Sequence, residues 1–286
     1  MIDLHIHTTA SDGSLSPKEV IDKAIEKGIT CLAITDHDTI DGLREAVEYA
    51  KQKDFDLILG VEIGYDDFES DISDIHIIGL GVDFLNKELI DACEELKKNR
   101  VLQKKEMVGK LNKLGYEITF EEVLKETTGT SIGRPHIARV LIKKYPGEFQ
   151  DIHETFVKLL DSGKKAFVSQ KKFSLQKVIQ LINDAGGITI LAHPGLCEND
   201  DEIIEKFIAA GGEGIEINYP YERLGKDERL NNKYLKIAEE NGLLISGGSD
   251  FHSDQESTEI GSYGITKEQF EVLKKRLIVQ ASPNKI

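Results

Sequence analysis

Residues Met1–Asp12 read M-I-D-L-H-I-H-T-T-A-S-D, in which Ile2, Leu4 and Ile6 alternate with Asp3, His5 and His7. That period of two is the pattern of a strand. Residues two apart on a strand share a side, so His5 and His7 present two imidazoles in one direction. Protonated, the pair would repel; neutral, it converges on one cation. His-x-His alone equally describes two unrelated histidines on a half-buried strand, so the question is whether further ligands arrive at comparable places.

Just downstream, Ser16-Pro17-Lys18-Glu19 is a compact helix start, with Ser16 as N-cap, Pro17 at the first helical position and Glu19 closing a capping box. Val20, Ile21, Ala24 and Ile25 form the apolar stripe and Gly28 the stop. A buried strand Cys31–Thr35 ends in Asp36-His37-Asp38, a helix fits Gly42–Lys53, and a strand Leu57–Val61 ends in Glu62. The βαβαβ order with short connections predicts a mostly parallel sheet with helices packed on it.

A strand Ile75–Val82 carries His76 near its start. A long helical pattern then runs from Asn86 towards Leu114, followed by the Thr119–Glu122 capping box and helical stretches at 137–144 and 149–160. This region, 87–165, breaks the strand–helix alternation and reads as a helical insertion. The expected layout is therefore 1–86 with 166–286 as an α/β domain, and 87–165 as an inserted helical subdomain that contributes to the substrate pocket. Alternation resumes with a strand Ile188–Ala192 ending in His193, a strand Gly214–Ile217 ending near Asn218, a strand Leu243–Ser246 leading to Gly-Gly-Ser-Asp250-Phe-His252, and a closing helix Lys267–Leu277.

The 286 residues are 40% hydrophobic and 30% charged, a soluble globular profile. A net charge of −15 disfavours wholesale wrapping of a nucleic-acid backbone, although it permits a local basic pocket. Cys31, Cys93 and Cys197 are odd in number and widely spaced, as expected for free thiols in a reducing compartment. No signal peptide is evident, and no apolar run approaches the roughly 20 residues that span a bilayer. The expectation is a cytoplasmic protein with no membrane association and no obligate protein partner.

Metal-capable residues recur just after apolar strands: His5 and His7, Asp36 and His37, Glu62, His193, Asp250 and His252. In an α/β barrel or open parallel sheet those strand ends share one face. If His76 and the others converge there, seven of the eight histidines share one location and only His153 lies clearly outside. A separate bland explanation for each strand end is less economical than one metal site. Imidazole plus carboxylate without cysteine suits Zn²⁺, Mn²⁺ or Fe²⁺ better than Ca²⁺ or Mg²⁺. The donors exceed what one tetrahedral ion needs, so two or three metals are implied, with Glu62, alone among histidines, as the natural bridging carboxylate.

H-I-H-T-T-A-S-D-G, I-T-D-H-D-T, G-V-E, I-H-I-I-G-L-G, L-A-H-P-G and S-G-G-S-D-F-H, with G-R-P-H-I-A-R in the insertion, resemble the polymerase-and-histidinol-phosphatase (PHP) family. The resemblance covers nearly the whole chain. Within the family it is greatest to the stand-alone phosphoesterases similar to 3′,5′-nucleoside bisphosphate phosphatase and 5′-to-3′ exoribonuclease. It implies a distorted (β/α)7 barrel with a trinuclear site. His5, His7, Glu62 and Asp250 would hold one ion, Glu62, His76 and His193 a second, and Asp12, His37 and His252 a third. Manganese is the ion most implied, with zinc, iron and magnesium as alternatives. Histidinol phosphatases of the family usually carry a histidine where this chain has Asp12, and the aspartate points to the nucleotide phosphatases.

On the substrate side, phosphate oxygens need forked or cationic donors. Arg134 and His136 are the first candidates, against a reading as the polar start of a helix. Arg100 matches the first arginine of a basic stripe on the long helix in relatives, but Gln103 and Lys104 stand one turn later where relatives repeat an arginine. Asn218, at a strand end, is a further candidate. The implied activity is hydrolysis of the 3′-phosphate of 3′,5′-bisphosphonucleosides, by a metal-bridging hydroxide attacking phosphorus in line. Asp12, His37, Glu62, His193 and His252 carry the catalysis in that reading. The expected partner is a small phosphorylated nucleotide. Alternatives are a 5′-to-3′ exonuclease on short RNA or DNA oligonucleotides, and a non-catalytic metal-binding interaction module, which would show a broken ligand set. Histidinol-phosphate hydrolysis is weakened by Asp12 and by the insertion.

Overall fold

A computed structural model of the chain describes residues 1–67, 72–127, 132–197, 199–227, 229–253 and 258–281. In chain order the elements are β1 (Ile2–Asp3), α1 (Pro17–Glu26), β2 (Cys31–Ile34), α2 (Leu43–Lys53), β3 (Asp56–Asp67), β4 (Ile72–Leu80), α3 (Lys87–Lys113), α4 (Phe120–Lys125), α5 (Arg134–Lys144) and α6 (Ile152–Thr155). They continue as α7 (Leu175–Asp184), β5 (Ile188–Leu191), α8 (Asp200–Ala209), β6 (Gly214–Asn218), α9 (Leu230–Asn241), β7 (Leu244–Gly247) and α10 (Lys267–Ala281). Two compact units result: Met1–Cys93 with Phe173–Ile286, and Glu94–Lys172.

The first unit is a barrel-like sheet of seven strands that lie side by side in sequence order. β1, β2 and β3 are parallel, as are β5, β6 and β7. β4 runs antiparallel to both its neighbours, which is the distortion of the (β/α)7 pattern. The reversal has a local cause: β3 ends at Asp67 and β4 begins at Ile72, too close in the chain for the crossover that a parallel pair needs, so the chain returns antiparallel. The sheet closes on itself through main-chain bonds from Leu4 N to Gly247 O (3.1 Å), Asp250 N to His5 O (2.9 Å) and His7 N to Phe251 O (3.0 Å).

Two sequence expectations are corrected here. The opening strand proper is only Ile2–Asp3; residues 4–7 remain bonded, but irregularly, to residues 247–251 on one side and through Ile6 O to Thr35 N on the other. β3 does not end at Glu62 but runs on to Asp67, because the chain beyond Glu62 pairs with β4. Glu62 therefore sits within a strand.

Apolar side chains of Ile2, Leu4, Cys31, Ala33, Ile78, Leu80, Ile188 and Ile190 form one core with Phe270 and Leu273 of α10. Along β4, His76, Ile78 and Leu80 share a face, so the strand enters that core at Ile78 and Leu80 and leaves it at His76. Because β4 is reversed, its beginning lies where its neighbours end. His76 thus precedes its apolar run while the other histidines follow theirs.

The closing seam is fastened by Asp3, a fully buried carboxylate. It accepts from Ser249 N (3.0 Å), Ser249 Oγ (2.7 Å), Gly261 N (2.7 Å) and His5 N (3.3 Å). Beside it, a Cβ on Gly248 would fall 2.5 Å from His5 N, so only glycine lets the two segments approach. Asp3→Asn presents an amide N–H₂ to these donors and is expected to cost about 3 kcal/mol. Urea unfolding with chelator present measures this, and a loss below about 0.5 kcal/mol would remove Asp3 from the seam.

The second unit packs Met107, Leu111, Val123, Ile137, Leu141, Leu160 and Ala166 into a separate helical core. Its limits, 94–172, differ from the expected 87–165 for physical reasons. Residues 166–172 are tied to α3 by Gln103 Nε2 to Val168 O (2.6 Å), Asn99 Nδ2 to Lys171 O (3.1 Å) and the bond from Lys110 Nζ to Phe167 O. At the other end, Asn86 Nδ2 bonds Asp184 O in the barrel unit (3.0 Å). Cys31 and Cys93 are buried and Cys197 is half-buried. Among the described residues no helix is long and apolar enough to cross a membrane.

Candidate metal centre

The strand ends bring nine donors into contact. Glu62 is fully buried at the middle of them. Its Oε2 lies 2.8 Å from His37 Nδ1, 3.2 Å from His7 Nε2 and 3.4 Å from His5 Nε2. Its Oε1 lies 3.1 Å from both His76 Nδ1 and His193 Nε2. Asp250 Oδ1 approaches His7 Nε2 (3.0 Å) and His5 Nε2 (3.3 Å). At the more open edge, Asp12 lies 3.4 Å from His252 Nε2, 3.8 Å from His7 Nδ1 and 3.9 Å from His37 Nε2.

Three physical features fit divalent cations. His5 Nε2 faces His7 Nε2 at 3.1 Å, an encounter of two equivalent nitrogens that is relieved by a shared proton or by a cation. His7 Nδ1 and Glu62 Oε2 are buried without a hydrogen bond of acceptable geometry, although imidazoles crowd the carboxylate. Finally, the donor atoms fall into four overlapping groups, each within 4.8 Å: His7, Asp12, His37 and His252; His5, His7 and Asp250; His5, Glu62 and His193; His37, Glu62 and His76. Glu62 belongs to two of these groups.

The charges are strongly coupled. Burial resists ionisation of Glu62, yet the imidazoles of His37, His76 and His5 outweigh it and hold the carboxyl well below the usual range. Asp12 and Asp250 are depressed in the same way, against their burial, by His37 and His252 and by His5 and His252 respectively. Burial opposes protonation of His5 and His252, but Asp250 with Glu216 and Asp250 with Asp12 carry them well above the ordinary histidine value. His37 is the exception: burial wins and its pKa falls. In the metal-free state, protons thus supply the positive charge that three buried or half-buried carboxylates require.

The backbone is shaped around this cluster. Asp38, His193 and Asp250 occupy left-handed conformations with φ of 54°, 28° and 50°, unusual for non-glycine residues. Asp36, which follows β2, accepts from Thr8 N (2.7 Å), Thr8 Oγ1 (2.7 Å) and Ser11 Oγ (2.6 Å), and so orders the loop that carries Asp12.

The residues singled out from sequence separate into two sets. His5, His7, Asp12, His37, Glu62, His76, His193, Asp250 and His252 come together in the barrel unit. The histidine count needs correction: six converge, because His136 belongs to the helical unit, where Nδ1 accepts from Gly133 N at 2.9 Å and completes the start of α5. Arg134 lies on the same first turn, over the Phe156 ring at 5.3 Å, and Arg100 lies on α3. Asn218 donates through Nδ2 to Gly264 O (3.0 Å), bracing the end of β6. Two residues escaped the sequence reading. Glu216, fully buried in β6, lies 3.1 Å from His5 Nδ1, and Tyr219 donates to Asp250 Oδ2 at 2.8 Å. A glutamate inside the apolar run G-I-E-I-N was the available signal for the first; Tyr219 offered none.

Comparison with known proteins agrees with this architecture. The chain is 34% identical to a 3′,5′-nucleoside bisphosphate phosphatase of Chromobacterium violaceum, over 89% of this chain and 88% of that one. It is 35% identical to a 5′-3′ exoribonuclease of Haemophilus influenzae, over 87% and 89% respectively. A solved structure from Bifidobacterium adolescentis, assigned as a metal-dependent phosphoesterase, superposes with a TM-score of 0.83 at 29% identity, covering 96% of each chain. The relatives and the donor set together support use of divalent metal. Residues 3–173 match the PHP domain, and with barrel, donors and relatives in agreement the chain belongs to the PHP domain family and is a phosphoesterase.

Proposed function

We propose that the chain removes the 3′-phosphate of 3′,5′-bisphosphonucleosides, releasing inorganic phosphate and the nucleoside 5′-monophosphate. The observation that carries this reading is the complete donor cluster around Glu62 in a chain 34% identical to a nucleoside bisphosphate phosphatase over 89% of its length. His5, His7, Glu62 and Asp250 would hold one ion, Glu62, His76 and His193 another, and Asp12, His37 and His252 a third, with manganese as the expected element. Such ions, when bound, supply Lewis acidity that activates water and offsets phosphate charge.

The chain's own groups do the positioning. His252 Nδ1 donates to Asp250 O at 2.9 Å, which leaves its Nε2 lone pair for an ion beside Asp12. Asp12, His37, Glu62, His193 and His252 carry the catalytic duty in this reading, as the groups that would hold and orient the ions at the reacting phosphate. In the helical unit, the bond from Gly133 N to His136 Nδ1 puts the ring proton on Nε2, where it can donate to a phosphate oxygen. Arg134 supplies the forked cation on the same turn, with Arg100 as a further contact. These groups would read the second phosphate, so that binding energy remote from the reacting bond fixes the substrate. Lys104 Nζ is bonded to Gln103 Oε1, and Gln103 in turn to Val168 O, so this pair braces α3 instead of extending an arginine stripe. We place the protein in the cytoplasm, in keeping with an odd number of widely spaced cysteines.

Arg134→Ala is expected to raise KM for a bisphosphonucleoside about tenfold with kcat little changed; an unaltered KM would remove Arg134 from the substrate site. The second reading, 5′-to-3′ exonuclease, is favoured by the 35% identity to an exoribonuclease. Manganese-loaded protein should be assayed in parallel on a bisphosphonucleoside and on an end-labelled oligoribonucleotide. Preferential release of inorganic phosphate from the first supports the phosphatase. Shortening of the second with the higher kcat/KM replaces it by the exonuclease.

A further inference from the structure

Glu216 lies behind the donor cluster and joins two of its members. Its Oε1 and Oε2 stand 3.1 and 3.3 Å from His5 Nδ1, and Oε2 also accepts from the main-chain N–H of His193 at 2.9 Å. Glu216 and His5 are both fully buried. A carboxylate only accepts, so it requires the proton of a neutral His5 ring on Nδ1 and leaves the lone pair on Nε2. Nε2 is the nitrogen that faces His7, Glu62 and Asp250. The other bond holds the main chain of His193 at its unusual φ of 28°, the conformation that delivers its ring to Glu62. One carboxylate therefore sets the ring of one donor and the backbone of another.

We propose that Glu216 is a positioning residue of the metal centre: it selects the His5 tautomer that can bind a cation and fixes the His193 backbone. This rests on the metal reading given under Proposed function. The two duties separate chemically. Glu216→Gln keeps the shape, and its amide oxygen can still accept from His193 N–H. Its N–H₂ then meets His5 Nδ1, making that nitrogen the acceptor and moving the ring proton to Nε2, where it blocks a cation. Glu216→Ala removes both contacts.

The test is Mn²⁺ binding by titration calorimetry, together with side-chain ¹⁵N NMR of His5 in the zinc-loaded protein and melting of the metal-free forms. Glu216→Gln is expected to melt above Glu216→Ala without metal, since it keeps the bond to His193 N–H and loses only the charge that favours protonated His5, to bind the tightest Mn²⁺ about 10–100-fold more weakly, and to shift the His5 ring signals from an Nδ1–H to an Nε2–H pattern. Glu216→Ala loses both contacts and should have the lowest metal-free melting temperature of the three. If the wild type takes up Mn²⁺ and Glu216→Gln takes it up equally tightly, the assignment of Glu216 fails and the metal reading stands. If Glu216→Gln melts as low as Glu216→Ala and His5 keeps its Nδ1–H pattern, the residue is structural only. If the wild type itself takes up no divalent ion, the metal reading fails and this inference with it.

Discussion

Phosphate release by Glu62→Gln is expected to fall on the order of 10³-fold, with the fold retained and metal content reduced by at least one ion per chain. Glu62 reaches five histidine rings of the cluster, three at one oxygen and two at the other, more than either Asp12 or Asp250 does. Glutamine fills the same volume but brings no charge, and its amide nitrogen turns protons toward nitrogens that need to offer lone pairs. Carboxylates elsewhere in the cluster, Asp12 and Asp250, each touch fewer rings and lie nearer solvent. Kinetics on a bisphosphonucleoside, with metal content measured on the same samples, decides the matter. A variant within tenfold of wild type would show that Glu62 holds the rings in place without serving the ions.

Metal removal should reverse the pH dependence of stability. His5 and His252 have pKa values raised well above 6.5, so their protonated forms stabilise the metal-free fold below about pH 6.5, and this is lost as pH rises through their higher folded values. Glu62, Asp12 and Asp250 lie well below their ordinary 4.5 and 3.8, so their ionised forms stabilise above about pH 4.5, and this is lost as pH falls through the lower folded values. His37, shifted down, opposes the other histidines in acid. With chelator, the melting temperature should therefore peak between about pH 5 and 6.5 and decline toward pH 8. With excess Mn²⁺ it should climb over that interval, because protons compete with the ion for the same imidazoles. Thermal scans across pH with and without chelator test this. Parallel curves would mean that the histidines are not the metal's donors.

Much of this site is legible in the sequence because its donors obey one rule: they stand where an apolar strand stops. His5, His7, His37, His193, Asp250 and His252 follow that rule directly, while Glu62 ends the apolar run of β3 although the strand itself continues to Asp67. His76 breaks it in appearance only, since a hairpin turns β4 around and makes the start of that strand equivalent to the ends of the others. His136 looks like a member on composition, but its ring is used at a helix start. Glu216 and Asp36 were harder to assign because their partners are a ring and backbone groups distant in the chain, and nothing in a local pattern announces a hydrogen bond between positions 216 and 5 or between 36 and 8. The short β1 was misjudged for the same reason. Alternation fixed which side chains share a side, but the length of the paired ladder depends on residues 247–251, which the opening stretch does not contain.

The seam between residues 4–7 and 247–251 has a consequence for how the molecule is made. On a ribosome, His5 emerges well before the segment it must bond to, residues 247–251, has been synthesised. Until that segment is released the barrel remains an open sheet with one exposed edge, and Asp250 and His252 are missing from the cluster. Such distant pairing slows folding, because the entropy of closing the long loop is lost before the contacts that reward it can form. The nascent chain therefore cannot assemble the full donor set early, and a polypeptide ending before Asp250 should lack it at any metal concentration. Catalytic competence arrives only once residues 247–252 have joined the sheet, in a single closing step.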